Sequence, residues 1–188
     1  MMTDTQQQQE LCRAVETAVA RQMHTPRDFN WLAELVTQHT REYISATTLK
    51  RMWGYIEKDV TASRHSLDQM ARFIGYRDWP AFVAALSSGQ RIESNLILSD
   101  SLSCDDITRG QRLRLQWLPD REILIQCTST GHFEVLESQN SKLLVGTTFV
   151  CNVITDGLPL YLSQVVLPGS GKAINYVAGQ ENGVKVLL

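Results

Sequence analysis

The sequence predicts an α+β protein in two parts, an all-α five-helix N-terminal domain and a small C-terminal antiparallel β-barrel-like domain. Three observations carry this expectation. Apolar residues recur at helical spacing as far as Leu86. A polar break, Ser87-Ser88-Gly89-Gln90, interrupts that pattern. Beyond it, short alternating segments are separated by hairpin-type turn residues. The boundaries read as a helical domain over 8–88, a linker over 89–98 and an all-β domain over 99–188.

The first helix is expected over Glu10 to Gln22, where Leu11, Val15, Ala18 and Val19 recur with few breakers. Thr25-Pro26-Arg27 interrupts it, and Asp28 reads as the N-cap of a second helix. That helix carries Phe29, Leu32, Ala33, Leu35 and Val36 and ends between Gln38 and Thr40. The third is short. Ser45 is its N-cap, Leu49, Met52 and Trp53 form one apolar stripe, and Gly54 supplies the left-handed residue beyond its end. Thr61 to Ser66 leads into a fourth, with Leu67, Met70, Ala71, Phe73 and Ile74, stopped at Gly75. Asp78-Trp79-Pro80 opens a fifth, and Pro80 sits in the first turn, where its missing N–H costs nothing. Trp31, Trp53, Trp79 and Phe82 read as core, and Tyr55 and Tyr76 as covers of its edge.

In the second part Gln111 to Leu118 alternates polar and apolar, Pro119-Asp120 turns, and Glu122 to Cys127 alternates again. Ser129-Thr130-Gly131 turns into His132 to Leu136. Further strands are expected over Phe149 to Ile154, Leu158 to Val166, Ala173 to Val177 and Val184 to Leu188, with Asp156-Gly157 and Glu181-Asn182-Gly183 as turns. So many short strands in one small domain imply a closed or nearly closed barrel.

Function is most legible on the third helix. Ala46, Thr47, Lys50 and Arg51 lie off its apolar stripe, so small, polar and basic groups face outward. Such a face suits a DNA major groove: Lys or Arg reaches guanine edges and the Thr methyl touches thymine. The same residues also make an ordinary solvated helix face. The segment Ile44-Ser45, Leu49, Met52 and Gly54, followed by Ser63, Leu67, Ala71, Ile74 and Gly75, resembles the Cro/phage-repressor (Xre-type) helix-turn-helix family over roughly residues 10–86. The resemblance implies double-stranded DNA as partner and a transcriptional regulator or repressor-like role. The candidate DNA-contacting residues are Ser45, Ala46, Thr47, Lys50, Arg51 and Arg64, with Arg41 and Lys58 as further phosphate contacts. Ala33 fits the alanine of the family's second helix, but ten residues lie between it and Ile44, which implies a longer turn than the family's.

Charge does not make the whole chain a polycation. Net charge is −2, with 11 basic and 10 acidic residues over 1–91 and 7 against 10 over 92–188. A nucleic-acid site must therefore be a local patch. No apolar run is long enough to span a bilayer, and the Gln-rich start is unlike a signal peptide, which points to the cytoplasm. Cys12, Cys104, Cys127 and Cys151 form no CxxC and read as free, mostly buried thiols, with no metal-ligand spacing.

The β domain carries no cofactor motif; Gly169-Ser170-Gly171-Lys172 reads as a hairpin turn. Self-cleaving repressors pair a serine nucleophile with a lysine base. Ser101 or Ser103 with Lys142 is the nearest equivalent, but no Met-x-Pro follows either serine. Cys104 with His132 is a weaker nucleophile pair still. Trp117-Leu118-Pro119-Asp120-Arg121 reads either as a docking tip or as a turn with a local ion pair. The chain is thus expected to be non-enzymatic, with the β domain sensing, forming a homodimer or docking a protein partner. A protein-interaction module with a degenerate helix-turn-helix is the alternative.

Overall fold

The computed structural model describes residues 2–56, 61–89 and 100–187. The chain divides into two compact units, Met1–Leu98 and Ser99–Leu188. The expected linker, 89–98, and Lys58 lie outside the described residues, apart from Gly89.

The first unit holds five helices, α1 (Asp4–Val19), α2 (Pro26–Thr40), α3 (Ala46–Met52), α4 (Arg64–Phe73) and α5 (Trp79–Ser87). Helix α1 begins and ends earlier than the expected Glu10 to Gln22. Thr3 and Gln6 form a reciprocal capping box ahead of the glutamine run, and Ala20 turns left-handed (φ 50°) and closes the helix. The N-cap of α2 is Thr25 rather than Asp28. Thr25 Oγ1 accepts from the Asp28 N–H, and the Asp28 carboxylate returns a bond to the Thr25 N–H at 2.7 Å, with Pro26 in the first turn. The ten residues after Ala33 make no long loop, because α2 remains helical to Thr40 and only Arg41 to Ile44 precede the Ser45 cap.

Leu11, Val15, Phe29, Leu32, Leu35, Val36, Leu49, Met70, Ala71 and Phe82 are essentially inaccessible and form the core of this unit. Trp31 and Trp79 are buried as expected, while Trp53 is only half-buried. Its indole N–H donates to Glu16 at 2.9 Å, and its ring meets Phe29 edge-on. Tyr55 leans on Phe29 and Tyr76 on Phe82, so both cover the core edge.

The second unit is antiparallel β throughout. Its strands are β1 (Ser101–Ser103), β2 (Arg112–Trp117), β3 (Arg121–Ser129), β4 (His132–Gln139), β5 (Thr148–Val150), β6 (Val153–Thr155), β7 (Leu160–Val166), β8 (Ile174–Ala178) and β9 (Lys185–Leu187). Seven pair in the order β8-β7-β5-β4-β3-β2-β9, and β1 pairs with β6 alone. The expected strand Phe149 to Ile154 is two strands. Its chain breaks at Cys151, whose N–H goes to the Gly131 carbonyl, after which β6 turns to meet β1, a partner the sequence did not announce. Inward residues alternate along the strands, from Leu113, Leu115 and Trp117 to Ile123, Ile125, Cys127, Phe133 and Val135, around one apolar core.

The expected barrel closure is not made by strand pairing, since β8 and β9 end the seven-stranded sheet unpaired with each other. The barrel stays open, and a seam of main-chain bonds ties the turn after β6 to the turn before β9. Gly157 donates to the Val184 carbonyl (2.7 Å), Val184 to the Leu158 carbonyl (3.0 Å) and Gly183 to the Gly179 carbonyl (2.7 Å). The outward N–H of Val186 on β9 donates to the Asp156 carboxylate at 2.6 Å. This packing leaves no room for side chains. A Cβ on Gly183 would lie 2.1 Å from the Gly157 carbonyl oxygen, and one on Gly179 would lie 2.3 Å from that of Gly183. Both also have positive φ.

Candidate nucleic-acid interface

The α2–α3 connection is short and heavily tied. Arg41 takes the left-handed conformation that ends α2 (φ 57°), and Ser45 Oγ accepts the Thr48 N–H at 3.0 Å to open α3. Between them, the Ile44 N–H donates to Thr37 Oγ1 on α2 (3.3 Å). From α4, the buried Gln69 amide donates to Thr40 Oγ1 (3.0 Å) and to the Glu42 carbonyl (2.6 Å), and Arg72 pairs with the Glu42 carboxylate (2.7 Å).

On α3 itself Leu49 and Met52 are buried. Thr47 and Arg51 are exposed, and Ala46 and Lys50 are partly so. Thr47, Lys50 and Arg51 stand at i, i+3 and i+4 and therefore share a face. Ser45 is committed to its cap and to Thr48 Oγ1. Arg64 is on a different element, the first turn of α4, and its guanidinium pairs with Asp68 at 3.1 Å. Asp68 in turn accepts the Trp79 N–H at the start of α5. Arg41 is exposed at the end of α2. Five of the six candidate residues thus belong to one short helix and its cap, and Arg64 belongs to another helix and to an ion pair.

The far end of α3 is held from α1. Gln8, within the polar tract at the N-terminus, is buried; its amide N–H donates to the Met52 carbonyl (3.0 Å) and its oxygen accepts the Ala62 N–H (2.8 Å). Gln8 and Gln69 were not among the residues singled out from sequence, yet a signal exists. Gln8 lies three, four and seven positions before Leu11, Cys12 and Val15, and Gln69 shares its spacing with Ser66, Met70 and Phe73. Both are polar residues on a buried stripe, which is where an obligatory hydrogen bond is expected.

The start of α2 is held electrostatically. Arg21 pairs with Asp28 (2.7 Å) and stacks over the Trp31 ring, 4.7 Å from its centroid. Burial pushes the Asp28 carboxyl up, but hydrogen bonds from Thr25, Arg21 and the His24 N–H outweigh it and hold it below the usual carboxylate range. Burial also depresses His39, whose ring lies edge-on to Phe73.

The β unit presents different chemistry. The Ser101 hydroxyl pairs with Thr155 Oγ1 at 2.9 Å, and Ser103 Oγ is buried without a hydrogen-bond partner, while Lys142 stands in an exposed turn. All four cysteines are free and buried. Burial and the neighbouring Cys104 push the Cys127 thiol up, and the exposed His132 turns its Nδ1 to the Thr130 carbonyl. At the β2–β3 tip, Trp117 is buried rather than displayed, and Asp120 accepts from Asn140 (2.9 Å) instead of pairing with Arg121. This tip lines an open cleft of about 610 Å³ with Asp156, Asn182 and Lys185.

Among the described residues no group of three His, Cys, Asp or Glu side chains fits a metal ion, and no helix is long and apolar enough to cross a membrane. Comparison with family models, with curated proteins and with solved structures finds no match to this chain.

Proposed function

We propose that this protein is a DNA-binding transcriptional regulator in which α2 and α3 act as the helix-turn-helix and α3 enters the major groove. The observation that carries the reading is the division of α3 into a buried side, Leu49 and Met52, and an outward side, Thr47 and Arg51 with Lys50 between them. A seven-residue helix cannot stand alone in water. Here it is fixed by the core and by both ends, which turns the polar face outward, the side from which base edges would be met. Arg41 and Arg64 supply phosphate contacts, Arg64 by exchanging Asp68 for a phosphate. The β unit serves sensing, homodimer formation or docking of a protein partner.

The test is selection from a random duplex pool by the full chain, followed by titrations at several salt concentrations. Lys50→Ala or Arg51→Ala is expected to relax discrimination at particular base pairs, at a cost of about 1–3 kcal/mol. Arg64→Ala is expected to weaken all duplexes alike and to reduce the salt slope by about one.

A second reading, a protein-interaction module with a degenerate helix-turn-helix, is favoured by a separate observation. Tyr43 is 79% exposed just before α3, and Tyr55 and Ile56 are 44% and 47% exposed just after it. Aromatic and aliphatic surface around a nearly neutral unit suits a protein partner. A wild-type protein with no duplex preference and no steep salt dependence would replace the first reading by the second.

A further inference from the structure

Two side-chain amides inside the helical unit reach opposite ends of the same helix. Gln69 on α4 is 1% exposed and donates to both Thr40 Oγ1 and the Glu42 carbonyl, in the turn that delivers the chain to α3. Gln8 on α1 is 4% exposed and donates to the Met52 carbonyl, at the last residue of α3. The same Gln8 accepts the Ala62 N–H just before α4, so it spans the approach to α4 as well. The carbonyls in the last turn of a helix, and those of a tight turn, lack partners from the helix ladder. Each amide reaches such a carbonyl, and each spends its fixed length on doing so. Apolar packing of Leu49 and Met52 fixes how deep α3 sits but tolerates small rotations and slides, because it has no direction. Hydrogen bonds at both ends do have direction.

We infer that Gln8 and Gln69 are the positioning residues for the outward face of α3: together they set the rotation and register at which Thr47, Lys50 and Arg51 meet a partner. Neither touches that partner. The inference rests on the DNA-binding reading for its partner, but the clamp itself is a property of the free protein.

The experiment uses the full chain as wild type, Gln8→Met, Gln69→Met and, as a control, Phe82→Leu. Methionine keeps side-chain length and removes the amide donors and, at position 8, the acceptor of the Ala62 N–H as well. Phe82→Leu loosens the core at α5, against Tyr76 and Trp79, and removes none of the clamp's hydrogen bonds. The probes are a duplex enriched from a random pool and a scrambled duplex of equal length. Each Met variant is expected to lose about tenfold in the ratio of affinities for the two probes, the size of one misaligned base contact. Affinity for the scrambled duplex and its salt slope remain unchanged, because phosphate contacts are sequence-independent. Phe82→Leu lowers the melting temperature but keeps the ratio.

Amide hydrogen exchange in the absence of DNA reads the clamp directly. Protection of the Trp53 and Tyr55 N–H groups falls in Gln8→Met, and that of Ile44 in Gln69→Met, with the Ser88 N–H of α5 unaffected. A wild type that discriminates, with Met variants that discriminate equally, overturns the inference and leaves the DNA reading standing. An equal loss in Phe82→Leu also overturns it, by reducing the effect to general loosening. A wild type without discrimination overturns the DNA reading and with it any DNA role for the amides. Unchanged exchange in the Met variants overturns the clamp whatever the DNA result.

Discussion

The two units of this chain solve the same problem, holding short elements in a fixed relation, by opposite means. The helical unit uses side chains. Buried or half-buried polar groups tie helices to one another and to the turns between them: Gln8 to Met52, Gln69 to Glu42, Trp53 to Glu16 and Arg21 to Asp28. The β unit uses backbone. Its ladders align the strands, its seam is a set of main-chain bonds among Gly157, Gly179, Gly183 and Val184, and its ion pairs stay near the surface, as with Arg114, Glu122 and Glu137. Away from its ends a helix satisfies its own backbone internally and meets its neighbours through side chains, whereas a strand must find its partners outside itself. The helical unit is therefore sensitive to which functional group stands at a position. The β unit is sensitive to whether any side chain stands there at all.

Substitution can sharpen or break this contrast. The largest effect is expected for Gly183→Ala. A methyl group there meets the Gly157 backbone at 2.1 Å, which cannot rotate away, and the residue keeps positive φ. A loss of about 3–5 kcal/mol by denaturant titration is expected from overlap and left-handed strain together. Gly110→Ala, also at positive φ but with open space around its Cβ, should cost only about 1–2 kcal/mol. Equal losses in the two variants would mean that the seam is not tightly closed.

Asp28→Asn is expected to be intermediate, at about 1–2 kcal/mol near neutral pH, because it weakens a capping box and an ion pair while keeping shape. Its signature is pH dependence. The folded carboxyl titrates below its unfolded value of about 4, so its stabilisation is complete above that value and is lost as pH falls through the folded one. The wild-type advantage over Asp28→Asn should shrink on acidification below about pH 4. An advantage independent of pH would assign the effect to packing instead of charge.

The smallest effect belongs to Arg114→Ala, which removes a surface network on the outer face of the sheet. Its hydrogen bonds to Glu122 and Glu137 raise the guanidinium above its usual value and Glu122 is held below its own, but the groups are in contact with water. Melting of this variant and of wild type should converge as salt is raised. A large, salt-independent loss would mean that the β unit also depends on side-chain ties.

What could be read from sequence follows the same division. The Ser45 cap, the start of α5 at Asp78-Trp79-Pro80, the stops at Gly54 and Gly75 and most strand positions are legible, because each depends on a few adjacent residues. The sequence does not single out Thr25 as the cap, because Asp28, three residues on, has the same chemistry and plays the other half of the box. The β1–β6 pair and the break at Cys151 were not legible, since both depend on partners about fifty and twenty residues away. Local spacing marks the candidate α3 residues, whereas the amides that hold them are not marked, because their acceptors lie more than twenty-five residues off.

The Asp156 carboxylate on the Val186 N–H bears on how the protein behaves when crowded. Strand β9 is an end strand, and an unengaged amide along such an edge is a template on which another chain can add a strand and begin ordered aggregation. Asp156 occupies that donor and sets a negative charge beside it. At this donor the β9 edge is closed to growth by one side chain, next to the Val184 N–H that the Leu158 carbonyl already engages, without lengthening the sheet or burying it under another element.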